Sequence, residues 1–161
     1  MMNYQLTGEY ELKIDAKGRV KLPANLLKQL NTNGTYDFVV NRGHDKNLAL
    51  HPLDVWEKKT NRLSHLNIDI EKNRNAVRFF YRGASNVTAD ASDRILLPKF
   101  LIQYAGIDKQ IIILAFMDQI EIWSKTEYEI MIAREPDSYG ALSEKLFKDD
   151  KADRAGAIGD D

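Results

Sequence analysis

The sequence predicts a mainly β fold with helices, an α+β chain built twice from one pattern. The main observation is an internal repeat. Asp15-Ala16-Lys17-Gly18-Arg19-Val20-Lys21-Leu22-Pro23 returns as Asp90-Ala91-Ser92-Asp93-Arg94-Ile95-Leu96-Leu97-Pro98, 75 positions on (90 − 15). Asp, Ala, Arg, Leu and Pro are identical in place, and Leu26 maps onto Leu101 at the same offset. A second observation is the likeness of the segments after each copy. Leu26, Leu27 and Leu30 precede Gly34 and the run Tyr36 to Val40, while Leu101, Ile102 and Tyr104 precede Gly106 and the run Ile111 to Leu114. Third, both copies go on to a short alternating stretch, Leu48-Ala49-Leu50 or Ile120-Glu121-Ile122.

Taken in order, Glu9 to Ile14 alternates polar and apolar, as a strand with one buried face does. Lys17-Gly18 makes a turn, since glycine takes positive φ without steric cost. Arg19 to Leu22 resumes the strand. Pro23 then opens a helix, where a missing N–H matters least. Two strands come next, and Pro52 opens a charged helix around Trp56 to Arg62. Ile68 to Tyr81 reads as a helix between the copies, carrying Lys72, Arg74 and Arg78 with no acid after Glu71. The second copy repeats the order, with Gly106 placed to end its first helix and Lys125 to Met131 as its last. Each half therefore reads β-turn-β-α-β-β-α. After the proline the match weakens, because the first copy has the longer connection. The stretch from about Lys148 to Asp161, with three bases against five acids, is expected to fray.

Composition narrows the function. The chain has 161 residues, 43% apolar and 29% charged, enough for a packed core. With no cysteine, disulfides, thiolate zinc sites and thiol catalysis are excluded. His44, His51 and His65 stand in no metal-ligand spacing, and His51 beside Pro52 reads as structural. Residues 1–12 lack the pattern of a secretion signal, and the run Ile111 to Met117 is too short to span a bilayer. A cytoplasmic protein is expected. The net charge of −1 makes nucleic acid a partner only if the bases gather on one face. Around the first turn they do. Glu9 to Lys28 holds five bases and three acids, among them Lys13, Lys17, Arg19 and Lys21.

The chemistry of the repeated Asp-x-x-x-Arg turn points the same way. A guanidinium is a planar fork of donors that fits phosphate or the O6/N7 edge of guanine. An aspartate four residues earlier can hold it in one orientation, which lowers the entropy lost on binding. For a single copy, a structural ion pair worth about 0–1 kcal/mol is the simpler account. Two copies in related positions favour a shared surface. A catalytic dyad of Asp15 and Asp90 fits poorly, because each carboxylate is followed by an arginine that would depress its pKa. There is no Gly-rich phosphate loop, nucleophile elbow or His-Glu-x-x-His. Trp56 and Trp123 read as packing residues. The series Arg74, Arg78 and Arg82 reads first as a solvated helix face, with a DNA or subunit contact as the functional alternative.

Asp15 to Pro23, its second copy, the stretch Phe79 to Ala84 and Ile120-Glu121-Ile122-Trp123 together resemble the MraZ family. The resemblance runs from about Gly8 to Ile132. It implies two AbrB-like, pseudo-symmetric swapped-hairpin (double-split) β-barrel modules at 8–54 and 83–126. A helical linker at 55–82 and a C-terminal helix with frayed tail at 127–161 complete the chain. It also implies a transcriptional regulator that binds double-stranded DNA at repeated sites upstream of its own division and cell-wall operon. Such a protein is nucleoid-associated and assembled with itself into a ring. No enzymatic activity, cofactor, membrane or small-molecule substrate is expected. The DNA-facing set carried over is Asp15, Lys17, Gly18, Arg19 and Lys21 in the first turn, with Asp90 and Arg94 in the second. Ser92-Asp93 departs from the family's glycine-containing turn and adds an acid beside Arg94, so the first turn is expected to be the stronger contact. The competing reading is an antitoxin-like protein-interaction module on the same barrel.

Overall fold

The computed structural model describes residues 4–30, 34–134 and 138–156. Its first copy runs β1 (Leu6–Lys13), β2 (Arg19–Lys21), α1 (Ala24–Leu27), β3 (Asp37–Arg42), β4 (Leu48–Pro52) and α2 (Leu53–Leu63). After α3 (Glu71–Tyr81), the second copy runs β5 (Ser85–Thr88), β6 (Arg94–Leu96), α4 (Lys99–Tyr104), β7 (Gln110–Met117), β8 (Gln119–Ser124) and α5 (Lys125–Ala133). Both copies have the order β-turn-β-α-β-β-α. A last helix, α6 (Tyr139–Gly156), extends into the stretch where fraying is expected, and residues 157–161 lie outside the described residues.

The strands of the two copies interleave. Six form an antiparallel sheet in the order β1-β7-β8-β4-β3-β5, and β2 pairs with β6 in a separate ribbon. Each copy thus gives its first strand to the other: β1 lies on β7, and β5 lies on β3. Equivalent positions occupy equivalent places, with Leu12 opposite Ile111 and Val87 opposite Phe38. A pseudo-two-fold axis relates the halves. It passes by Val20 and Ile95, which face each other in the ribbon, and by Ala49 and Glu121 across the central β4–β8 pair.

The core follows from this pairing. Strand alternation turns Val20 and Ile95 inward, both 0% exposed, with Leu22 and Leu97, Leu26 and Leu101, Val40 and Ile113 beside them. The two copies contribute matching side chains to one shared cluster rather than to two. Removing so much apolar surface from water is the main stabilising contribution, at about 25 cal/mol per Å².

Local chemistry sets the element ends. Pro23, Pro52 and Pro98 are N-caps, one residue before the first helical position. The Pro23 and Pro98 carbonyls accept the first helical N–H groups, from Leu26 and Leu101 at 3.0 and 3.1 Å. Helix α4 ends in a Schellman motif. Gly106 N–H donates to Gln103 O and Ile107 N–H to Ile102 O, with Gly106 at φ +65°. Helix α3 starts later than the periodicity predicts. Residues Asn67 to Ile70 instead form a tight turn, held by Arg74 Nη1 donating to the carbonyls of Ile68 and Asp69.

Helix α3 is tied down at its C-terminal end. Asn41 Nδ2 donates to Phe80 O, while Arg42 donates to the carbonyls of Phe79 and Arg82. These carbonyls have no helical partner, so a cation there is doubly favourable. Trp56 of α2 stacks on Phe80 at 5.3 Å and meets Tyr81 edge-on. His51, only 6% exposed, packs on Trp56, and Lys59 Nζ donates to its Nδ1 at 3.4 Å. Both tryptophans are buried, Trp56 here and Trp123 against Tyr128. Among the described residues no helix is long and apolar enough to cross a membrane.

Candidate nucleic-acid interface

The two repeated turns sit at opposite ends of the antiparallel β2–β6 ribbon. Each is closed by the same hydrogen bonds. Asp15 N–H donates to Arg19 O at 3.0 Å and Gly18 N–H to Asp15 O at 3.0 Å; in the second turn, Asp90 to Arg94 O and Asp93 to Asp90 O are both 2.9 Å. They also interlock. Leu22 N–H donates to Asp93 O at 2.8 Å, and Leu97 N–H to Gly18 O at 2.9 Å. Neither turn is an independent loop, because each is fastened to the strand leaving the other.

The aspartates organise the turns. Asp15 Oδ1 accepts the backbone N–H groups of Lys17 and Arg19 at 3.0 and 2.8 Å, and Oδ2 accepts Arg19 Nε at 2.7 Å. Asp90 repeats this with Ser92 N–H and Arg94 N–H on Oδ1 at 2.8 and 3.0 Å, and Arg94 Nε on Oδ2 at 3.0 Å. The backbone N–H of Arg19 is the main cause holding the Asp15 carboxyl below its ordinary pKa, and the guanidinium adds to it. The N–H of Arg94 does the same for Asp90. A proton-sharing dyad needs one carboxyl raised, whereas these two are both lowered.

Each pair engages only Nε. Among the described residues the terminal nitrogens of Arg19 and Arg94 carry no hydrogen bond, and the side chains are 33% and 36% exposed. The result is two oriented guanidinium forks with their bidentate edges unused. Strand alternation puts Arg19 and Lys21 on the outer face of β2, opposite buried Val20, and Arg94 on the outer face of β6. In the register, Lys21 faces Arg94. Three cations therefore crowd one side of a two-stranded ribbon, with Lys17 exposed beside them.

Gly18 has a different place from its neighbours. It is buried at φ +88°, and a Cβ there would stand 3.0 Å from Ile102 Cδ1 and 3.2 Å from Leu97 O. It shapes the turn. Asp93, its counterpart, adopts φ +62°, as an aspartate can, so the second turn keeps its geometry without glycine.

The sequence pattern did not single out Leu96 and Lys99. Leu96 stands where the first copy has Lys21 and is 56% exposed. With Lys17, Lys99 and Val87 it lines a groove of about 440 Å³ beside the ribbon. Aligning the copies residue by residue would have flagged Leu96, because an apolar side chain occupies an outward-facing slot. Lys99 carries no such signal, as its counterpart is Ala24. The arginines of α3 and its C-cap are used at home. Arg74 holds the turn before the helix, Arg78 Nη1 donates to Asn75 Oδ1 at 3.3 Å, and Arg82 lies 5.3 Å from the Phe100 ring centroid.

Known proteins resemble this chain along its length. The family model described as "MraZ protein, putative antitoxin-like" matches twice, over residues 5–79 and 80–150. A protein of Christiangramia forsetii is 36% identical over 92% of this chain and 96% of its own length. One of Moorella thermoacetica is 35% identical over 86% and 94%, and one of Flavobacterium psychrophilum 34% identical over 88% and 91%. All three carry the name "Transcriptional regulator MraZ". With two consecutive family matches and relatives aligned along nearly their whole length, this chain belongs to the MraZ family.

Proposed function

We propose that the protein is a sequence-specific DNA-binding transcriptional regulator and not an enzyme. The observation that carries this reading is the pair of identically braced arginines on one face of the β2–β6 ribbon. A two-stranded ribbon is narrow enough for the major groove, and two oriented forks suit guanine edges or phosphates. In this reading Arg19 and Arg94 make the contacts, Asp15 and Asp90 orient them, Lys17 and Lys21 neutralise phosphates, and Gly18 shapes the first turn. The names of the relatives support it.

The finer proposal is that the protein acts in the cytoplasm on the nucleoid, at repeated sites upstream of its own division and cell-wall operon. A few arginines give limited affinity, since one bidentate base contact supplies roughly 1–3 kcal/mol of discrimination. A homo-oligomeric ring engaging repeated sites would multiply it through effective concentration. Exposed Ile68, Ile70 and Phe79, on and before α3, are available for such self-association.

The test is binding to the duplex upstream of its own gene against a shuffled duplex, at two salt concentrations. Arg19→Ala is expected to weaken binding to the native duplex by about 5- to 100-fold and to reduce the salt slope by about one. Arg94→Ala is expected to have the smaller effect, because Asp93 adds negative charge beside it. Equal weak binding to both duplexes, indifferent to either arginine, would overturn the reading. The family description also fits an antitoxin-like interaction module. A stoichiometric second protein co-purifying with the chain would favour that alternative.

A further inference from the structure

Leu96 breaks the symmetry of the ribbon. Its neighbours Ile95 and Leu97 are 0% and 2% exposed, as alternation with a core-facing strand requires, but Leu96 itself is 56% exposed. A scattered exposed leucine is ordinary. This one has an unusual setting. It lies across the ribbon from Arg19, on the face that carries Lys21 and Arg94. It also walls the groove of about 440 Å³ that Lys17, Lys99, Val87 and Pro98 help to line. Three corners of the ribbon's outer face are cationic, and the fourth is an isobutyl group.

An occupant must bring negative charge beside a small apolar group. Duplex DNA has that pattern. Its phosphates run along either side of the major groove, and the C5-methyl of thymine is the apolar group a base pair presents there. Resting on the DNA-binding reading above, the geometry points to Leu96 as a specificity-determining residue that packs on a thymine methyl. Lys17 and Lys99 contact the flanking phosphates. The opposite corner carries Lys21 and seeks an acceptor instead. The two ends of a pseudo-symmetric surface therefore read different chemistry, which gives the binding site a direction.

The experiment uses the full-length protein and the duplex upstream of its gene in three forms: native, with thymines replaced by deoxyuridines, and shuffled. Deoxyuridine keeps the hydrogen-bonding edge and removes only the methyl. Wild type is expected to bind the deoxyuridine duplex about fourfold more weakly per methyl contacted, the factor for one buried methylene-sized group. Leu96→Ala is expected to bind native and deoxyuridine duplexes equally, so that the double-mutant cycle assigns the methyl to Leu96. Leu96→Lys should tighten binding to all three duplexes and narrow the gap between them. Because Leu96 is exposed, a thermal melt unchanged in both variants shows that folding is not the cause.

If wild type prefers the native over the shuffled duplex and needs Arg19, yet ignores the methyl groups, the assignment falls and the regulator reading stands. If the methyl effect persists undiminished in Leu96→Ala, another residue reads it and the assignment falls as well. If native and shuffled duplexes bind alike, both readings fall.

Discussion

At the residue scale, the two turns show how different residues can reach one geometry. Gly18 and Asp93 both lie at positive φ, +88° and +62°. A non-glycine residue there costs roughly 1 kcal/mol, whereas glycine loosens the unfolded chain by about 0.4–1 kcal/mol, so the two nearly cancel. Asp93→Gly is therefore expected to leave stability within about 0.5 kcal/mol of wild type, while removing an acid beside Arg94. Thermal melts and DNA titrations at low salt check both halves: an unchanged melt with affinity raised a few-fold. His51 behaves differently. Burial pushes its pKa down to about 4; Lys59 and His44 add to the fall, and Asp118 opposes it. In the unfolded chain the imidazole titrates near 6.5. Its neutral state therefore favours the fold fully above about pH 6.5, and that contribution is lost as pH falls towards 4. The loss amounts to about 2 kcal/mol by about pH 5. His51→Gln is expected to lower stability at neutral pH through lost packing on Trp56, but to flatten the decline between about pH 6.5 and 5, read from melts across that range.

At the element scale, the ends legible in the sequence are those whose chemistry is local. Gly106 as a helix stop needs only the Schellman bonds within five residues, and the proline starts need only the fixed φ of one ring. The start of α3 was not legible in the same way. Ile68 and Ile70 keep helical spacing with the residues after them, but the Asn67 side chain and Arg74 hold that segment in a turn. Periodicity cannot see a side chain competing for backbone groups. Two of the glycines at positive φ, Gly18 and Gly106, give a graded prediction. At Gly106 a Cβ would meet only the end of the Lys46 side chain, at 3.4 Å, so Gly106→Ala incurs backbone strain alone. At Gly18 it would press on Leu97 O and Ile102 as well. Chemical denaturation is expected to show a loss of about 1 kcal/mol for Gly106→Ala and clearly more for Gly18→Ala.

At the scale of the whole molecule, interleaving makes each half dependent on the other. Without the second copy, β1 loses β7, β3 loses β5 and β2 loses β6. A fragment of residues 1–82 would expose these edges and half of a shared core. It is expected to pair with a second copy of itself, since each edge it exposes matches a pseudo-equivalent partner that another copy carries. Sedimentation should show a dimer, and mixing with a fragment of residues 83–161 should produce a one-to-one complex. A folded monomer would mean that the exchange of first strands is dispensable. The same dependence explains the candidate site. Arg19 and Arg94 come to one face because Leu22 and Leu97 bond across to the opposite turn.

The residues by themselves determined the repeat, the two turns and their Asp–Arg pairs, because these interactions close within four positions of the chain. They also determined the order of strands and helices, which alternation and proline and glycine placement write locally. The tertiary structure alone decided that β1 crosses to β7, that two copies make one core, and that Leu96 and Lys99 join Lys17 at a single groove. The physical reason is that hydrophobic alternation specifies which face of a strand is buried, not which strand lies beside it. Pairing within a copy and pairing between copies would satisfy the same pattern, and only the packing of the whole chain separates them.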